Sequence, residues 1–215
     1  MLHNFQLSHT LFNRFMSELR DQEIQKDSMR FRRNLERMGE IIAYEISKSL
    51  PYSNIIVNTP LGEAEISVHN QEPVIATILR AGLPMHYGLM NYFDKADTAF
   101  AAAYRRHESD DTFTISVDYV SSANLEGRIL ILADPMLATG KSLIAVYKRL
   151  LNFGTPKSIH IVSAIASKTG LSYVKSRLPE STQYWMGAID DELTAQSYIV
   201  PGLGDAGDLA FGNKE

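Results

Sequence analysis

One stretch constrains this chain more than any other: Arg128-Ile129-Leu130-Ile131-Leu132-Ala133-Asp134-Pro135-Met136-Leu137-Ala138-Thr139-Gly140-Lys141-Ser142. Ile129 to Ala133 is short and wholly apolar, the pattern of a strand buried on both faces. Asp134 to Lys141 reads as a loop, and from Ser142 onward Leu143, Val146, Leu150 and Leu151 recur at helical spacing. An acid therefore leaves the end of a buried strand, and a Thr-Gly-Lys-Ser turn opens a helix. The first N–H groups of a helix have no partner within it, and the helix dipole adds positive potential there. That geometry favours a phosphate. Asp134 cannot bind a phosphate directly; it suits sugar hydroxyls or a metal.

A buried parallel strand needs layers on both sides, and 215 residues, 45% of them hydrophobic, are enough for one domain with a real core. The formal net charge of −4 advertises neither nucleic acid nor an anionic membrane. The absence of cysteine removes disulfides, thiolate catalysis and cysteine-ligated zinc. Met1-Leu2-His3-Asn4-Phe5 lacks the basic and apolar regions of a signal peptide, and no run approaches the ~20 apolar residues of a membrane span. A cytoplasmic protein is the expectation.

The rest of the chain alternates helices and strands. Residues 8–20 read as a helix with Leu11, Phe12, Phe15, Met16 and Leu19 on one side. A longer helix starts at an Asp27 or Ser28 cap, steps through Phe31, Leu35, Met38, Ile42 and Ile46, and is stopped by Pro51. Its other face carries Arg30, Arg32, Arg33 and Arg37, expected as solvated charge unless one or two reach a phosphate or a partner subunit. Asn54–Val57 and Glu63–Val68, joined through Pro60-Leu61-Gly62, read as a hairpin. Residues 73–79 form another buried strand, ending in Arg80-Ala81-Gly82 before a helix to about Tyr92. An arginine at a strand's carboxyl end, with small residues after it, is a second phosphate-like site, because ligands of open α/β sheets sit there. Thr98–Tyr104 is a further strand, ending in Arg105-Arg106, and 106–127 reads as an exposed β-arm or lid. Ser158–Ala166, Gly170–Arg177 and Gln183–Gly187 continue as strand, helix and strand. Such βαβ alternation implies a mainly parallel twisted sheet flanked by helices. The tail, Tyr198 to Gly212, is rich in glycine, holds Pro201, Asp205 and Asp208, and leaves little room for helix. Backbone of that kind can present its own N–H and C=O groups to a small planar ligand.

Two familiar motifs fail on inspection. Gly140-Lys141-Ser142 suggests a triphosphate-binding loop, but the first required glycine falls on Pro135 and Asp134 would face the phosphates. Gly202-x-Gly204-x-x-Gly207 matches a dinucleotide fingerprint, but no helix is expected after it. His3, His9, His69, His86, His107 and His160 show no metal-ligand spacing, and no G-x-S-x-G elbow occurs.

With both loops placed, the chain resembles the uracil phosphoribosyltransferase family, of the type I phosphoribosyltransferase fold. The segments that carry the resemblance are Ile78-Leu79-Arg80-Ala81-Gly82, Tyr104-Arg105, Asp134 to Ser142 and Tyr198-Ile-Val-Pro-Gly-Leu-Gly-Asp-Ala-Gly-Asp208, with Leu19-Arg20-Asp21 and Phe31 also similar. The resemblance covers nearly the whole chain. It implies a single domain over 1–215, with a core of about 70–190 and a hood from about 1–69 and 191–215. It implies transfer of phosphoribose from 5-phosphoribosyl 1-diphosphate to uracil, giving UMP and diphosphate with Mg2+. It places Arg80 and Arg105 on the diphosphate and Asp134 on the ribose hydroxyls. The loop Pro135, Met136, Leu137, Ala138, Thr139, Gly140, Lys141 and Ser142 would cradle the sugar phosphate, with Ala138 to Ser142 on the 5-phosphate. Tyr198, Ile199, Gly204, Asp205 and Ala206 would meet uracil, and Asp205 also the sugar diphosphate with its metal. Arg105 and Asp205 are the expected catalytic residues. The family forms dimers or higher assemblies, and some members respond to GTP.

The chemistry fits the residue types. Breaking the anomeric C–O bond builds an oxocarbenium-like centre and a highly charged leaving group, which arginine and magnesium neutralise. A lid over 106–127 would exclude water. Three positions depart from the family pattern. Lys141 stands where a second glycine is usual, Ser197 replaces a glycine before Tyr198, and Leu209-Ala210 replaces a basic-aromatic type pair. A positive φ at 141 would strain the lysine. Other readings of the residues are a non-catalytic sensor of UMP or phosphoribosyl diphosphate, and a transferase for another base.

Overall fold

The computed structural model describes residues 1–107 and 113–213, except for the side chains of 105–107 and 113–114. In chain order the strands are β1 (Leu2–Asn4), β2 (Tyr52–Thr59), β3 (Gly62–His69), β4 (Val74–Leu79), β5 (Asp97–His107), β6 (Phe113–Ser122), β7 (Ile129–Ala133), β8 (Met136–Leu137), β9 (Ser158–Ser167), β10 (Gln183–Asp190), β11 (Glu192–Leu193) and β12 (Ile199–Val200). The helices are α1 (Leu11–Arg20), α2 (Ser28–Ser47), α3 (Leu83–Met90), α4 (Lys141–Leu150), α5 (Lys168–Lys175) and α6 (Ala206–Phe211). Among the described residues no helix is long and apolar enough to cross a membrane.

The main sheet runs β1-β10-β9-β7-β4-β5-β6, with β8 pairing β9 at the end of β7's path. Every pairing in it is parallel except β5 with β6, where the chain doubles back as the expected arm. The central strands β4, β7 and β9 are buried along almost their whole length, as mainly Val/Ile/Leu/Ala runs require, with Thr77, His160, Ser163 and Ser167 as buried polar exceptions. One apolar layer packs Phe12, Phe31, Leu35, Met38 and Ile42 of α1 and α2, with Met85 of α3, against one face of the sheet. The other packs Leu143, Val146 and Leu150 of α4 and Leu171 and Val174 of α5 against the opposite face. α2 and α3 approach so closely that a Cβ on Gly88 would lie 1.9 Å from the Glu36 carbonyl oxygen, so glycine is required there by space rather than by φ.

The helix starts follow capping chemistry. Thr10 Oγ1 accepts from the Phe12 N–H, and of the two expected caps for α2 it is Asp27 that serves, accepting from the Arg30 N–H at 3.0 Å. Several expectations need correction. The tail does contain a helix, α6: Asp205 caps it by accepting from the Gly207 and Asp208 N–H groups at 2.8 and 3.1 Å, so the glycine-rich segment nucleates a turn that its composition disfavours. The fingerprint-like Gly202-x-Gly204-x-x-Gly207 is thus followed by a helix, though with no βαβ unit around it. α4 begins at Lys141 rather than Ser142, and the left-handed φ of +74° belongs to Gly140, so Lys141 takes ordinary helical backbone. The edge strand β1, too short to show a period, pairs β10 in parallel.

The basic face of α2 is not simply solvated. Arg30 donates to Glu18 at 3.2 Å, Arg33 pairs with Glu36 at 2.8 Å, and Arg32 donates to the Ala210 carbonyl of α6 at 2.6 Å. Glu18 is buried and accepts from Arg14, Arg30 and Asn34. The Asn34 hydrogen bond, followed by that of Arg14, holds its carboxyl down at about 2.

Candidate active site

The carboxyl ends of β4 and β7 and the middle of β5 open onto a single cleft of about 790 Å³. Its floor is Ile78 and Leu79 at the end of β4 and Ala102 and Ala103 on β5, with Tyr104 at the rim. One wall is Asp134, Met136, Ala138 and Ser142; the other is Ser197, Tyr198 and the start of α6, Asp205 to Asp208. A cleft outside the carboxyl ends of parallel strands is where an open α/β sheet places its ligands.

The 134–142 loop is built from beneath. The Asp134 N–H donates to the Val162 carbonyl at 3.0 Å, the Leu137 N–H to Ser163 Oγ at 3.2 Å, and Ser167 Oγ donates to the Ala138 carbonyl at 2.6 Å. Gly170 lets α5 approach this loop: a Cβ there would lie 2.1 Å from the Ala138 oxygen. The result is a rigid turn ending at the amino terminus of α4. Asp134 sits at its opening, its Oδ1 accepting from the Met136 N–H at 3.2 Å. One side of its carboxyl faces the cleft, but the surrounding protein strips enough water to push it up to about 7, against the lowering effect of that hydrogen bond.

The opposite wall is hung from the body by a buried ion pair. Arg20, the last residue of α1, donates both Nη atoms to Asp190 at 2.8 Å, and Asp190 Oδ2 also accepts from the Gly202 N–H at 2.8 Å. Arg20 donates further to the Gly202 carbonyl at 3.1 Å. Burial pushes the Asp190 carboxyl up, but the hydrogen bond and charge of Arg20 and the Gly202 N–H outweigh it and hold it below the usual range. Gly202 has φ +63°, and a Cβ on it would lie 2.0 Å from the Ile199 oxygen, so this turn admits only glycine. The Leu79–Arg80 and Val200–Pro201 peptide bonds are cis.

Arg80 spans the two halves. It donates to Asp208 at 3.1 Å and to the Gly212 carbonyl at 3.0 Å, tying the β4 end to α6. The Ala206 N–H meets Met136 Sδ at 3.3 Å, a direct contact between the two walls.

These segments are far apart in sequence, and the fold that brings them together superposes over 99% of this chain on another solved structure. The structure of the AQ2163 protein from Aquifex aeolicus superposes with a TM-score of 0.86, at 28% identity and over 98% of that chain. The uracil phosphoribosyltransferase family model matches residues 6–213. The chain belongs to the uracil phosphoribosyltransferase family. The uracil phosphoribosyltransferase of Porphyromonas gingivalis is 52% identical over 96% of this chain and 95% of its own. That of Pyrococcus furiosus is 37% identical over 92% of this chain and 84% of its own.

Of the residues expected from the sequence, Arg80, Asp134, Met136, Ala138, Ser142, Tyr198, Asp205 and Ala206 line the cleft together. Thr139, Gly140 and Lys141 belong to the same loop, with the Lys141 N–H 3.4 Å from Thr139 Oγ1. Pro135, Leu137 and Ile199 are buried, so their side chains support the walls rather than face the cleft. Gly204, at φ +92°, shapes the turn before α6. The backbone of Arg105 lies on β5 opposite Ile115, and its side chain lies outside the described residues. Residues 108–112 of the expected lid also lie outside them. The cleft further holds Ala102, Ala103, Gly207 and Asp208, none of which the sequence singled out as site residues. The two alanines before Tyr104 and the second acid of Gly-Asp-Ala-Gly-Asp were the available signals.

Proposed function

We propose that the chain transfers the phosphoribosyl group of 5-phosphoribosyl 1-diphosphate to uracil, releasing UMP and diphosphate. Family membership over nearly the whole chain supports this reading. The observation that carries it is the single cleft, in which a phosphate-type loop with an acid at its mouth faces a backbone-rich C-terminal loop. In this assignment the 138–142 turn and the α4 amino terminus take the 5-phosphate, which anchors the end of the sugar that does not react. Asp134 accepts from the ribose hydroxyls. Arg80, with Arg105, takes the diphosphate, and stabilising that leaving group's charge lowers the barrier to C–O cleavage. Tyr198, Ile199, Gly204 and Ala206 meet uracil mainly through main-chain groups, and a base that mismatches this fixed edge leaves buried polar groups unpaired.

Among the described residues no three His, Cys, Asp or Glu side chains cluster as a metal cage. The carboxylates that line the cleft, Asp134, Asp205 and Asp208, instead suit a Mg2+ ion that takes one or two of them and completes its shell with substrate oxygens. Bound in that way it would supply charge neutralisation at the diphosphate. Asp205 is the residue we assign to it, held in place by its capping bonds to α6.

We further propose that the enzyme is a homo-oligomer. The hairpin of β2 and β3 forms its own two-stranded sheet and exposes Ile55, Ile56, Leu61 and Ile66. An isolated hairpin of that kind is marginal in water, and exposed large apolar groups mark interfaces. Light scattering of the purified protein tests this, with a monomer as the contrary result.

The activity is tested by incubating phosphoribosyl diphosphate and Mg2+ with labelled uracil, cytosine, hypoxanthine and orotate. UMP from uracil alone is the expected result. No product with any base would overturn the reading in favour of a non-catalytic sensor. Product with another base but not uracil would overturn the specificity.

A further inference from the structure

Among the described residues only one non-glycine residue has a left-handed backbone: Ser197, at φ +66°. It sits in the loop between β11 and β12, which pair Leu193 with Ile199. That loop is fixed by three bonds: Thr194 N–H to the Tyr198 carbonyl at 2.8 Å, Ser197 N–H to the Thr194 carbonyl at 2.8 Å, and Tyr198 N–H to Thr194 Oγ1 at 3.1 Å. The Ser197 bond closes the four-residue turn Thr194–Ser197, and in a hairpin of this kind the last residue of the turn takes positive φ as the chain enters the next strand. Glycine satisfies that position without steric cost, whereas a Cβ there is unfavourable. Serine is thus kept where the fold alone would favour glycine.

What the serine adds is a hydroxyl at the cleft. Ser197 lines the cavity next to Tyr198, on the same wall as Asp205 and Ala206. Among the described residues its hydroxyl makes no hydrogen bond; only its backbone N–H is engaged. Neighbouring turn hydroxyls behave differently, since Thr194 Oγ1 is consumed by the Tyr198 N–H. A half-buried residue with an unengaged hydroxyl and an outlying backbone, lining a ligand cleft, is the pattern of local strain retained for function.

We propose that the Ser197 hydroxyl hydrogen-bonds the base as it docks against the C-terminal loop, making Ser197 a substrate-affinity determinant of this enzyme. The proposal rests on the uracil reading above and deepens it. A single neutral hydrogen bond is worth about 0.5–1.5 kcal/mol, which converts to roughly a 2- to 12-fold change in affinity.

Two variants separate strain from contact. Ser197→Ala keeps the strained Cβ and removes the hydroxyl. Ser197→Gly removes both. Both are expected to raise KM for uracil by roughly 3- to 10-fold while leaving KM for phosphoribosyl diphosphate and kcat within about twofold. Only the glycine variant is expected to gain thermal stability, by about 2–4 °C. A wild-type uracil KM in Ser197→Ala, with the parent enzyme forming UMP, would overturn this proposal alone. A parent enzyme that forms no UMP would overturn the uracil reading and the proposal with it. A matching rise in stability for both variants would show that the Cβ is not what strains the turn.

Discussion

The ion pair between Arg20 and Asp190 joins the first helix to the turn that shapes the base-side wall, and Arg20→Ala tests that link. The substitution removes two 2.8 Å hydrogen bonds to Asp190 and one of 3.1 Å to the Gly202 carbonyl. Asp190's side chain is only 5% exposed, so its charge would be left in a largely dry site. Breaking one partner of a buried pair costs about 3–5 kcal/mol. The low end applies here, because Asp190 keeps its bond from the Gly202 N–H and water can enter where the Arg20 side chain, 22% exposed, was removed. A loss of about 3 kcal/mol corresponds to a melting temperature about 6–12 °C lower for a chain of this size. The functional effect should be one-sided. The Gly202 turn holds Val200 to Leu203, not the 134–142 loop, so KM for uracil should rise about tenfold, equivalent to ~1.4 kcal/mol of loop ordering. KM for phosphoribosyl diphosphate should stay near the parent value. Arg20→Lys, which keeps charge but not the two-pronged geometry, should fall between. A melting temperature unchanged within about 2 °C, or equal rises in both KM values, would refute the reasoning.

Three further outcomes follow from the site and the core. Asp134→Asn should stabilise the ligand-free protein at pH 8 by up to about 4 kcal/mol while sharply reducing activity. The folded carboxyl is raised to about 7, so its ionisation costs stability as pH rises from 3.8, and the amide avoids that cost; denaturant melts at pH 5 and 8 check the sign, and a destabilised variant at pH 8 would contradict it. Gly170→Ala places a Cβ 2.1 Å from the Ala138 oxygen, so it should raise KM for phosphoribosyl diphosphate more than that for uracil, read by steady-state kinetics. His86, fully buried beside the Phe100 ring, and His160 are each pushed down to about 4 by burial, His160 with a minor contribution from His3. An unfolded histidine takes up its proton near 6.5, so stability should fall as pH drops from about 6.5 to 4, by up to about 3 kcal/mol per residue. His86→Phe should flatten that slope in pH-dependent melts.

How much was legible in the sequence depended on the kind of physics involved. β4, β7 and β9 were readable because burial on both faces writes a mainly apolar run, unbroken in β7, and the amphipathic α1 and α2 because their apolar spacing is helical. The 134–142 loop was readable because an acid, a proline and Thr-Gly sit between a strand and a helix. α6 was not, since glycines and acids argue against helix and its stability comes from the Asp205 cap and from Arg32 and Arg80 gripping its end. The charged face of α2 misled for the same reason: Arg32 finds its partner 178 residues away, which no local pattern encodes. Lys141 ceased to be anomalous once the left-handed φ proved to lie at Gly140. The strained residue is Ser197, marked in the sequence only through the family resemblance and not by any local pattern.

The measurement closest to the central claim is UMP formation by Asp205→Asn beside the parent enzyme. Asparagine caps a helix as well as aspartate does, so α6 should persist and the melting temperature should stay within about 2 °C. The rate should fall by about 100-fold or more, as expected when a group that stabilises developing charge is neutralised. A folded variant that forms UMP within about threefold of the parent rate, under 1 kcal/mol of barrier, would contradict the placement of phosphoribosyl transfer in this cleft.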